Sequence, residues 1–148
     1  MRLEKVSVDL MTRLRRASPS QRKAAALAAC VYAVEYAQVH DRVVLSVLSV
    51  LSVLGELNSG RYVSAPEIER VKILTEQADE EYLDLHDASD SSEDNGYLAA
   101  FSRARALSAL LFALEEESLH SSSEAICEAI SAVDNSHAIA ARVVSSLS

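Results

Sequence analysis

The stretch from Val43 to Leu54 reads VVLSVLSVLSVL. Its valines favour β-structure by propensity alone. A half-buried strand, however, alternates apolar and polar residues, and a hairpin needs a tight turn close by. Neither is present: the serines Ser46, Ser49 and Ser52 recur every third residue, and the run is unbroken by Gly, Pro or Asn. With Asp41 as N-cap, the stretch predicts a helix over Val43–Leu57. Nine of the twelve residues are Val or Leu, which places this helix at the centre of a bundle as its most buried element. The serines advance by about 300° per step and cover only about 120° of the surface. They are expected to form a groove for a close neighbour, with each hydroxyl bonded back to its own helix.

Outward from this run the chain reads as helices separated by short breaks. Leu3, Val6, Leu10 and Leu14 recur at spacings of three and four, predicting a helix from about Leu3 to Arg16. Ser18-Pro19-Ser20-Gln21 combines a capping box with proline at the first helical position and opens an alanine-rich helix to about His40. Ser64-Ala65-Pro66-Glu67 is a second capping box. The helix after it carries Ile68, Val71, Thr75, Ala78, Tyr82 and Leu85 as an apolar stripe. Asp87–Asn95 reads as an acidic loop, Tyr97–Glu116 as a helix, and Ser121–Glu124 as a third capping box opening a helix to Val133. A break at Asp134-Asn135-Ser136 leaves a last helix over Ala138–Leu147. The expectation is an all-α compact bundle of six or seven helices, forming a single domain over residues 1–148.

Composition agrees with that class. The 148 residues include three Gly and two Pro, too few for a sheet protein rich in tight turns. A chain of this length buries roughly 70% of its unfolded surface and folds without disulfides or metal. The N-terminus MRLEKVSVDL has no apolar run after its basic residues, and twelve residues with three Ser are too few to span a bilayer. A cytoplasmic protein is expected, with no membrane partner and with Cys30 and Cys127 as packing residues.

At an offset of 80, Lys23–His40 (KAAALAACVYAVEYAQVH) lines up with Arg103–His120 (RARALSALLFALEEESLH). Ala24, Ala26, Leu27, Ala29, Ala33, Glu35 and His40 meet identical residues, and each copy leads into another helix. Two similar helical hairpins packed together are expected, with His40 and His120 at equivalent helix C-termini.

Motifs for chemistry are sparse. Glu117–His120 has the Glu-x-x-His spacing of di-iron bundles, but such a site needs two of these pairs and two more inward carboxylates. No Gly-x-Ser-x-Gly, phosphate-cradling glycine loop or Cys-x-x-Cys occurs, and DASDSSEDNG departs from a calcium loop in the position of its Gly. The chain is therefore expected not to be an enzyme and to need no cofactor or metal.

Charge carries the functional signal. The net charge is −8, which disfavours nucleic acid as partner. Residues 1–42 hold eight Lys/Arg and four Asp/Glu, whereas residues 43–148 hold six and 18. Between Glu76 and Asp94 lie Glu76, Asp79, Glu80, Glu81, Asp84, Asp87, Asp90, Glu93 and Asp94 with no Lys or Arg among them. Glu76, Asp79, Glu80, Asp84, Asp87, Asp90, Glu93 and Asp94 are the candidate partner-binding residues. Such a cluster steers and holds a basic protein.

The segment FSRARALSALLFALEEESLHSSSEAICEAI, Phe101 to Ile130, resembles the later helical hairpin of small acidic immunity-type bacterial helical proteins. The resemblance implies inhibition of a bacterial toxin, such as a basic nuclease, by a cytosolic binding protein. It assigns no site residue. Two other functions remain open on sequence: a helical scaffold or homo-oligomeric adaptor, homodimer included, and a metal-dependent helical-bundle enzyme.

Overall fold

The computed structural model of the protein describes residues 2–57, 63–88 and 96–147, the side chains of residues 53–57 and 88 excepted. Among the described residues there are eight helices and no strand: α1 (Arg2–Val6), α2 (Val8–Arg16), α3 (Pro19–Tyr36), α4 (Arg42–Leu57), α5 (Ala65–Ala88), α6 (Tyr97–Leu114), α7 (Leu119–Ala132) and α8 (Ser136–Ser146). The class is all-α, as expected, with a count above six or seven because the first helix is divided. Ser7 adopts an extended conformation (φ −154°, ψ 108°), and its Oγ accepts from the Leu10 amide at 3.2 Å. A serine hydroxyl caps a new helix more readily than it continues an old one.

Capping decides the other starts as well. Ser18 and Gln21 form a reciprocal box at α3, and Ser64 and Glu67 form one at α5. Asp41 caps α4 through the amides of Val43 (2.9 Å) and Val44 (3.3 Å) and pairs with Arg70 on α5. Desolvation works against its charge, yet those amides and the Arg70 guanidinium hold its carboxyl below the ordinary aspartate value. At α7 the box is one turn earlier than the sequence suggests: Ser118 pairs with Ser121, not Ser121 with Glu124. Glu124 is occupied elsewhere, as described below.

The central helix is α7, not the Val43–Leu57 helix. Every residue from Ser121 to Ile130 is buried, and α7 packs against α1, α2, α3, α6 and α8. Its side chains are mostly small, so neighbouring helices approach closely through their own alanines. These are Ala25, Ala26, Ala29 and Ala33 on α3, and Ala104, Ala106 and Ala109 on α6. By contrast, α4 lies at the periphery against α3 and α5. It buries Val44, Val47, Leu48 and Leu51 but leaves Leu45 49% exposed. The three serines are exposed and are not packed under a close neighbour; Ser46 Oγ donates to Glu67 Oε2 of α5 at 3.5 Å, not to its own helix. Ser52 Oγ does bond back to the Leu48 carbonyl at 2.9 Å. Apolar content alone suggested a buried helix, but placing the serines on one face makes α4 amphipathic.

The matched segments fall on α3 and α6, each 18 residues long, and both helices flank α7. The helices that follow them are not equivalent, since α7 is central and α4 peripheral. His120 lies in the first turn of α7, not at a helix C-terminus, and His40 follows the end of α3. The similarity of the two segments is therefore that of two alanine-rich helices serving the same neighbour. The two hairpins are not alike.

Two outcomes are expected. Ile126→Ala should cost about 2–5 kcal/mol in urea unfolding, while Leu45→Ala should stay within about 0.5 kcal/mol. Equal losses would place the core on α4. Asp41→Ala should cost about 1 kcal/mol at neutral pH. A carboxyl held below its ordinary value stabilises above that value and loses the effect as pH falls through the lowered one. The deficit of the variant should therefore shrink in strong acid, measured as the difference in urea midpoint.

Candidate functional site: the outward face of helix α5

Two opposed faces define α5. Val71, Thr75 and Ala78 are buried, with Ile68, Tyr82 and Leu85 half-buried beside them. At about 100° per residue the opposite face carries Glu69, Ile73, Glu76, Glu80, Leu83, Asp84 and Asp87. All of these are exposed, Ile73 by 39% and Leu83 by 54%. The buried face is pinned to α6 by aromatic rings: Tyr82 lies 5.1 Å from Phe101 and 5.7 Å from His86, and His86 lies 5.6 Å from Tyr97. That cluster holds the last turns of α5 in place and so orients the acidic row.

The candidate carboxylates do not behave as one group. Asp79 sits at the flank and pairs with Arg105 of α6 at 2.9 Å. Its neighbour Glu81 pairs with Arg103 at 2.9 Å. The cluster that has no Lys or Arg in sequence thus gains two cations across the helix interface. Glu76, Glu80 and Asp84, one turn apart in succession, make no ion pair among the described residues. Lys72 flanks the N-terminal end of this row, and Asp87 lies 3.9 Å from His86 at the other end. Asp90, Glu93 and Asp94 lie outside the described residues. The structure therefore brings Glu76, Glu80, Asp84 and Asp87 to one surface and assigns Asp79 to a structural pair.

A second set of charges escaped the sequence reading. Glu124 and Glu128 are buried on α7. Arg2 of α1 donates Nε to Glu124 Oε2 at 2.8 Å and Nη2 to Glu128 Oε1 at 2.8 Å, and Nη2 also reaches Glu124. Arg105 binds the other oxygen of Glu128 at 2.9 Å and stacks over the Phe101 ring. The network therefore runs Arg2, Glu128, Arg105, Asp79, and links α1, α7, α6 and α5. These hydrogen bonds hold the Arg2 guanidinium well above its ordinary value. The signal was present in the sequence: two carboxylates four residues apart in a helix with no Lys or Arg of its own. Such a pair, once buried, must find cations on other elements.

Burial also governs the thiols. Both cysteines are free and buried, and desolvation pushes the Cys30 thiol up to about 12. Among the described residues no group of three His, Cys, Asp or Glu side chains is placed to hold a metal ion. Glu117, half of the Glu-x-x-His pair, instead accepts from Arg22 at 2.8 Å and ties the α6–α7 connection to α3. An open groove lies between the ends of α3, α6 and α7, lined in part by Tyr36, Leu98, Phe101 and Asp134. By length and composition α6 is apolar enough to cross a membrane, and in the bundle it packs against α3, α5 and α7. Compared with models of protein families, with characterised proteins and with solved structures, the chain gave no match.

The two arginines of α6 should separate in a stability measurement. Arg105→Ala leaves the buried Glu128 with half its partners and should cost about 1–3 kcal/mol. Arg103→Ala removes an exposed pair and should cost at most about 1 kcal/mol. Indistinguishable urea midpoints for the two variants would mean that the Glu128–Arg105 contact carries no special weight.

Proposed function

We propose that this protein is a non-catalytic binding protein, a cytosolic immunity protein that silences a basic bacterial toxin through the outward face of α5. One observation carries the reading. Among the described residues Glu76, Glu80 and Asp84 make no ion pair and lie in a single row on that face, while Arg105 and Arg103 are committed to Asp79 and Glu81. Like charges at i,i+4 repel by a few tenths of a kcal/mol per pair. Dispersed charge would serve solubility without that cost. A toxin that handles phosphate presents a positive site, and a line of carboxylates about 6 Å apart along a helix can occupy it. Ile73 and Leu83 on the same face add apolar contact, which exposed ion pairs alone do not supply.

Self-association through this face is the competing reading, because exposed Ile73 and Leu83 would also suit a second copy. A two-fold contact would set the acidic row against itself, so electrostatics favours a partner of opposite charge.

The test is co-expression with the product of the neighbouring gene, scored by cell survival and by retention on the tagged protein. The wild type should protect and retain a basic domain. The triple variant Glu76→Lys, Glu80→Lys, Asp84→Lys should lose retention, most clearly at low salt. An unchanged affinity and unchanged salt dependence in the triple variant would sink the proposal.

A further inference from the structure

We infer that the outward face of α5 is a seam for a second helix and, resting on the reading of this face as a site for a basic partner, that its occupant is a basic amphipathic helix of that partner. Along α5 the residues Glu69, Ile73, Glu76, Glu80, Leu83 and Asp87 are spaced by four, three, four, three and four, and all six are exposed. At about 100° per residue they fall within a stripe about 80° wide, with Val71, Ala78 and Leu85 on the opposite side. Alternation of three and four is the repeat by which one helix takes the side chains of another between its own. The helix thus carries two such seams. The inner one, Ile68 to Leu85, packs against α6, whereas the outer one is exposed along its whole length.

Spacing selects a helix over an extended segment. Successive seam residues rise by about 5.4 Å on average, one helical turn. Side chains on one face of a strand recur every 6.7 Å or so, about one position out of step over the roughly 27 Å from Glu69 to Asp87. Charge selects the sign of the occupant. The order along the seam is acidic, apolar, acidic, acidic, apolar, acidic, symmetric about Ala78. A second copy aligned with it therefore sets carboxylate against carboxylate, whether parallel or antiparallel. A helix with Lys or Arg facing the four carboxylates and Leu or Ile facing Ile73 and Leu83 matches it instead. The stems of Lys and Arg cover apolar surface while their charged heads reach the carboxylates. Lys72 beside Ile73 and Asp84 beside Leu83 flank the seam with opposite signs, and flanking charges set the direction in which a partner helix lies.

Two synthetic peptides of about 21 residues, long enough for three heptads, test the seam on the wild-type protein. The matched peptide is an alanine-based helix carrying Lys, Leu, Lys, Lys, Leu, Lys at the spacing of the seam. The scrambled peptide has the same composition with those side chains spread around the helix. In fluorescence-anisotropy titrations at low salt the matched peptide should bind at least about tenfold more tightly. Its amide shifts in proton–nitrogen NMR spectra should centre on the outer positions of α5. The double variant Ile73→Ser, Leu83→Ser removes two exposed side chains and should keep its melting temperature, yet bind the matched peptide no better than the scrambled one. Equal affinities of the two peptides for the wild type, no binding of the matched peptide, or shifts centred on another face overturns the seam. So does full affinity of the double variant for the matched peptide. Each of those outcomes leaves standing a basic partner that offers some other element. Conversely, failure of protection and retention in co-expression removes the toxin but not the seam, since the peptide comparison involves no toxin.

Discussion

Two carboxylates buried in one helix set the terms for much of this structure. Glu124 and Glu128 sit on α7, which touches α1, α2, α3, α6 and α8. Uncompensated, each buried charge would cost several kcal/mol. Arg2 and Arg105 supply the compensation from two different helices, so the electrostatics of α7 dictate where α1 and α6 lie. Arg105 extends the constraint to α5 through Asp79. The apolar contribution is complementary. Alanines on α3 and α6 let both helices close on α7, and that close approach is what takes Glu124 and Glu128 out of solvent.

Neutralisation in the interior shapes the surface. The arginines of α6 are drawn to Asp79, Glu81 and Glu128, which leaves none on α6 to balance the outer row of α5. Four of the eight N-terminal cations are engaged as well: Arg2 with α7, Arg13 with Asp9, Arg15 with Glu4 and Arg22 with Glu117. Glu76, Glu80 and Asp84 thus stand without an ion pair, among the described residues, on a helix whose other face meets α6 through the tilted Tyr82–Phe101 ring contact. Preorganised display of this kind lowers the ordering cost a partner must meet.

Helix starts were legible because capping is local chemistry. Ser18 with Gln21, Ser64 with Glu67, and Asp41 needed no tertiary context, and the stripe from Ile68 to Leu85 needed only the helical period. The cap at α7 was misplaced by one turn, since both Ser118 and Ser121 can serve and Glu124 was already engaged by Arg2. Half of the acidic row was legible in the same local way. The loss of Asp79 and Glu81 to α6 was not, because Arg105 and Arg103 lie more than 20 residues away in the chain.

The sequence by itself determined the all-helical class, the starts of α3, α4 and α5 and the buried side of α5, because hydrogen-bonded caps and the 3.6-residue period act over a few neighbouring residues. Only the tertiary structure decided which helix lies at the centre. The Val/Leu-rich α4 has the greater apolar content, but the small residues of α7 permit neighbours on every side, and close packing rewards shape as well as hydrophobicity. Tertiary structure also decided which carboxylates remain free, since Arg2, Arg103 and Arg105 reach their partners across helix interfaces that no local pattern encodes.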